Sequence, residues 1–118
     1  MSKREWELYL KDIDKSINKI ITYTKGMEKK EFFYDEKTFD AVMRNLEIIG
    51  EAVKHLPDEL KTQYGNVKWK KIAGLRDIVI HEYFGIDEDI IWDVVQNKIS
   101  ELKPEIDIII KNTIQNKE

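Results

Sequence analysis

KTFDAVMRNLEIIGEAVKHL, residues 37–56, carries a clear helical pattern. Phe39, Val42, Met43, Leu46, Ile49 and Val53 recur mostly at three- and four-residue steps, which is the period of a helix with one apolar stripe. Asp35 or Thr38 is placed to cap its start, and Pro57 lies just beyond its end.

The same period runs outward in both directions. Trp6, Leu10, Ile13, Ile17, Ile20 and Ile21 predict a first helix over 4–25, with Gly26 as its stop. A polar connector, MEKKEFFYDE, joins the two, and the connector 57–67 has room for one short helical turn. Trp69, Ile72 and Ala73 open a third helical stretch that ends near Gly85. Asp87 is a suitable N-cap for a fourth, IDEDIIWDVVQNKISEL. Pro104 interrupts a pattern that continues through Ile106, Ile109, Ile110 and Ile114, which predicts a kink or restart there. With 5 Gly and 2 Pro among 118 residues, turn signals are too few for an all-β chain. The expectation is one all-α domain over 1–118, an antiparallel bundle of four to five helices.

Composition narrows the function. The 20 basic and 23 acidic residues give a formal net charge of −3, so nucleic-acid contact must rely on a local patch. Cysteine is absent, which removes disulfides, thiolate metal sites and cysteine nucleophiles and suits the cytoplasm. MSKREWELYLKDIDK has no apolar signal-peptide core, and no apolar run approaches a membrane span. Two histidines, at 55 and 81, make no recognisable metal-ligand spacing, and the scattered glycines build no phosphate-binding loop. Neither a metal nor a cofactor is expected.

The most unusual stretch is GLRDIVIHEYFGID, residues 74–87, where polar groups interrupt the chain's most hydrophobic segment. On a helix, Arg76 and Tyr83 lie within about 20° of one another, and Asp77 and His81 form an i, i+4 pair. Arg76 and His81 diverge by about 140°, so a second copy across a two-fold axis would bring them together more easily than one short helix. On spacing alone, a hydrogen-bonded core histidine beside a surface Arg–Asp pair is the competing explanation.

RDIVIHEY has the form Arg, four residues, His, any residue, Tyr, and it resembles the signature of HepT-type toxins of the HEPN superfamily. RNLEIIGEAVKHLPDEL at 44–60, VKWKKIAGLRDIVIHEYFGID at 67–87 and the following IIWDVVQNKISELKPEI are similar to the same family, in the same order. The resemblance implies a HEPN-like bundle and a homodimeric, metal-independent endoribonuclease toxin whose site lies in a cleft between protomers. It implies that His81 and Arg76 carry the chemistry and that Asp77 is the supporting polar residue after the arginine. Tyr83 matches the tyrosine that a cognate minimal nucleotidyltransferase antitoxin modifies with AMP. RNA, that antitoxin and a second copy are the implied partners. A non-catalytic helical subunit that binds a nucleotide or a nucleotidyltransferase uses the same fold and remains the alternative.

Other residues have two explanations each. His55, near the end of the second helix, is most simply a cation at the helix dipole. Arg44, Asn45 and Glu51 either line the cleft or form an exposed face of that helix. Lys68, Lys70 and Lys71 are either an RNA-contacting patch or a solvated basic turn. Trp69 and Trp92 have helical spacing with apolar neighbours, which favours packing over base stacking.

Overall fold

Helix α1 (Lys3–Thr24) and helix α3 (Glu36–Lys54) lie side by side, and α8 (Ile99–Ile110) lies against α1. The computed structural model describes residues 3–82 and 87–115, with side chains over 4–79 and 87–114. Among these, all regular structure is helical, as the apolar period requires. The stripes meet as expected: Leu10, Ile13, Ile17 and Ile20 of α1 face Val42, Leu46 and Ile49 of α3, and all are fully buried. Ile106 and Ile109 of α8 complete that layer. Burying each such side chain contributes roughly 1.5–3 kcal/mol, which offsets the conformational entropy lost in ordering the chain. No helix among the described residues is long and apolar enough to cross a membrane.

Local chemistry places the helix ends. Gly26, just past α1, has φ 77, a left-handed conformation that side chains with a Cβ rarely adopt. Asp35 caps α3: its carboxylate accepts from the Thr38 backbone N–H and from the Thr38 hydroxyl. Asp87 caps α7 (Glu88–Asp93) by accepting from the Asp89 N–H at 2.8 Å.

Three expectations change. The stretch 27–36 is more than a connector, because it holds α2 (Lys29–Tyr34), closed by a capping box between Glu28 and Glu31. Its Phe32 is fully buried against Phe33, Phe39 and Trp92, so the short helix is a wedge for the core. The 57–67 connector, by contrast, carries the short helical segment expected of it, α4 (Asp58–Gln63). At Gly74 the third stretch divides into α5 (Trp69–Ala73) and α6 (Leu75–Glu82). Its end near Gly85 falls outside the described residues.

Pro104 does not restart the last helix; it sits inside α8. Pro104 and Ser100, whose carbonyl would accept the missing N–H bond, are both exposed, so solvent can take that carbonyl. The irregularities lie elsewhere, in π-helical segments at Val94–Lys98 and Lys111–Gln115 that flank α8.

Candidate functional site

The arrangement begins with two glycines. Gly74 ends α5, and its carbonyl accepts from the N–H groups of Asp77 and Ile78, so α6 starts afresh from that point. Across from it lies Gly50 of α3. A Cβ on Gly50 would stand 2.9 Å from the Arg76 backbone nitrogen and 3.0 Å from the Ala73 carbonyl oxygen. Only a residue without a side chain lets α3 and the start of α6 approach backbone to backbone. The next residue on α3 is Glu51, and this close approach sets it beside Arg76.

Glu51 stands between Arg76 and His55 at this junction. Its Oε2 accepts from Arg76 Nη1 at 3.2 Å, and its Oε1 lies 3.6 Å from His55 Nε2, one turn along α3. The His55 ring stacks on Tyr9 of α1, with centroids 4.6 Å apart and planes 9° from parallel. Arg76, Glu51 and His55 are each a little under half exposed, at 46%, 48% and 41% of the side chain. An ion pair as accessible as Arg76–Glu51 contributes about 0–1 kcal/mol, so it adds little to the stability of the fold.

His55 also closes α3, as its position implies: its N–H is shared between the Ala52 and Val53 carbonyls. Its contacts with Glu51 and Tyr9 add a second role that the dipole argument did not contain. The pairing with Glu51 has a readable i, i+4 signal; the stack on Tyr9 has none.

The other candidates separate. Arg44 lies two turns before Glu51 on the same exposed face of α3, paired with Glu47 at 3.0 Å. Asn45 leaves the site: it is buried and donates to the Ala41 carbonyl of its own helix. Asp77 is exposed and has no partner among the described residues. The backbone of His81 belongs to α6, but its side chain and all of Tyr83 lie outside the described residues, and with them the expected Asp77–His81 pair.

The three lysines do not form one patch. Lys68 and Lys71 stand with Lys98 on the rim of a groove of about 630 Å³, whose floor includes Ile72, Leu75, Ile78 and Val94. Asp89, Asp93, Glu101 and Glu105 share that rim, so its charge is mixed. Lys70 is exposed and does not line the groove. The tryptophans pack. Trp69 donates its indole N–H to the Lys61 and Tyr64 carbonyls, both at 3.1 Å, and Trp92 rests on Phe32. Among the described residues no three His, Asp or Glu side chains group as metal ligands.

Residues 13–109 match the model of the family described as Ribonuclease HepT-like. A Methanocaldococcus jannaschii protein named as an RNase is 47% identical over 112 residues, 95% of this chain and 93% of that one. A Thermococcus cleftensis protein named as a ribonuclease HepT is 41% identical over 101 residues, 86% of this chain and 92% of that one. No solved structure matches the chain at a significant level. With the family model spanning α1 to α8 and relatives covered nearly end to end, the chain belongs to the HepT-like ribonuclease family.

Proposed function

We propose that this ribonuclease cleaves RNA without a metal, using Arg76 and His81 of two copies of the chain. The observation that carries the reading is Arg76: a half-exposed guanidinium at the start of α6, aimed by α3 and, among the described residues, with most of its donors still free. RNA brings its own nucleophile, the ribose 2′-OH beside each phosphate, so a metal-bound water is not required. The 2′ oxygen bonds to phosphorus as the bond from phosphorus to the 5′ oxygen breaks, leaving a 2′,3′-cyclic phosphate and a 5′-OH. One proton must leave the 2′-OH and one must reach the departing oxygen. An imidazole titrates near neutral pH and serves either transfer, and a dimer supplies two of them. Arg76 remains cationic and binds the phosphate oxygens as their charge grows.

The groove supports pairing of two copies through α6 and α7. Its floor is apolar, it includes Leu75 and Ile78 of α6, and its rim carries both signs of charge, as a self-complementary surface needs. The reading extends to a toxin–antitoxin pair in which a nucleotidyltransferase silences the enzyme by adding AMP to Tyr83. A phosphodiester on that residue would bring a negative charge to the helix that carries Arg76. Co-expression with such a transferase should add AMP mass to the wild-type chain, and a Tyr83→Phe chain that gains the same mass refutes that assignment.

The test of catalysis is incubation of the purified protein with total RNA in excess EDTA, followed by mapping of the new ends. Cyclic-phosphate ends are expected from wild type, with a loss of roughly 10²–10⁴-fold for His81→Ala and Arg76→Ala. Full cleavage by a folded His81→Ala protein sinks the assignment.

A further inference from the structure

A guanidinium suited to meet a phosphate already has a carboxylate beside it. Arg76 offers five N–H donors in a planar fork, and among the described residues its only partner is Glu51, which takes Nη1. Nη2 and Nε are left to make paired bonds to phosphate oxygens. Glu51 is braced from behind. Its second oxygen faces His55 at 3.6 Å, and the His55 ring lies flat on Tyr9. Three helices therefore contribute to one exposed cluster: α1 through Tyr9, α3 through Glu51 and His55, and α6 through Arg76. A long exposed arginine otherwise samples many rotamers, and fixing it before substrate arrives removes an entropic cost from the reaction.

We propose that Glu51 is a positioning residue for RNA cleavage. It holds one edge of the Arg76 guanidinium so that the opposite edge faces the scissile phosphate, and the His55–Tyr9 stack braces its carboxylate. The inference rests on the reading of Arg76 as the phosphate-binding group. Glu51 touches no reacting atom and acts only through Arg76.

The sign of the charge makes this testable. Glu51 places a negative charge near the phosphate, so removing it should leave KM unchanged or lower, even as kcat falls with the loss of orientation. Cleavage of a fluorescent single-stranded RNA by the purified full chain in EDTA would give kcat and KM separately, with thermal melting as the control for folding. Glu51→Ala should lose about 2–5-fold in kcat with little change in melting temperature. Glu51→Gln, which keeps an oxygen to accept from Nη1, should recover part of that loss. His55→Leu should show a smaller loss in the same direction. In an Arg76→Ala background, measured under single turnover, Glu51→Ala should cost nothing further.

Each other result overturns the proposal in a distinct way. Wild-type kcat in Glu51→Ala, with Arg76→Ala inactive, removes the positioning role and leaves Arg76 in place. A fall in KM without loss of kcat makes Glu51 a competitor of the phosphate. Further loss in the Arg76→Ala background gives Glu51 a role of its own. Wild-type cleavage by Arg76→Ala removes the phosphate-binding reading and the positioning role together.

Discussion

Two aspartates show how far one residue's surroundings can move its chemistry, and in which direction. Asp35, capping α3, accepts from Thr38, and these hydrogen bonds hold its pKa below the ordinary value. Its stabilising effect is therefore present above the unfolded pKa and lost as pH falls through the lowered one. Asp14 is the reverse case. Burial raises its pKa, Lys103 opposes the rise, and the charge of Asp107 and a shared hydrogen bond with it add to the rise. Its Oδ1 is shielded from solvent and, among the described residues, accepts no hydrogen bond. The contribution of Asp14 is thus complete below its unfolded pKa and lost as pH rises through the raised folded one. Asp14→Asn should raise the melting temperature at pH 7, by about 1–3 °C because the residue is partly exposed and screened. The gain should shrink as pH approaches about 4, near the ordinary aspartate pKa. Thermal melts across that range check the trend, and a gain that grows on acidification contradicts it.

At the scale of elements, the contact between α3 and α6 is the one that matters for the site. Gly50 permits it, and Gly50→Ala sets two effects against each other. Alanine improves helix propensity by about 1 kcal/mol. Its Cβ, however, meets the Arg76 nitrogen and the Ala73 carbonyl, which are backbone atoms and cannot rotate away. Overpacking of this kind costs roughly 1–3 kcal/mol and should win. The variant should melt at a lower temperature and, with α6 displaced from Glu51, lose more cleavage than its stability alone explains. Circular dichroism melts beside kcat measured well below the transition separate the two effects. A Gly50→Ala chain as stable as wild type would show that the junction yields easily.

For the whole molecule, the prediction concerns a second copy. Ile90 is 50% exposed at the groove beside α6, where the proposed second copy would cover it. In a two-fold interface every contact is made twice, so one introduced charge acts twice. Light scattering should find wild type as a dimer and Ile90→Lys as a folded monomer with little cleavage. A wild-type monomer that cleaves RNA at full rate contradicts a composite site.

The longer helical stretches, the residues near their ends and the family are legible in the sequence alone. The 3.6-residue stripe, the capping aspartates 35 and 87, and the Arg–His–Tyr spacing all act over a few residues, so they are legible without knowing what packs where. The stretch 27–36 reads as a connector because its polar residues outnumber its apolar ones, while burial of the single Phe32 depends on the rings of Phe39 and Trp92, brought from other helices. Pro104 reads as a break because tolerance of the ring depends on which face of the helix meets solvent. The company of Arg76 comes from tertiary packing. Its partner Glu51 is 25 residues away, and His55 meets Tyr9 from a different helix. Such contacts follow from how helices approach, and here that approach is set by the space above one glycine, a property of two backbones together and of neither segment alone.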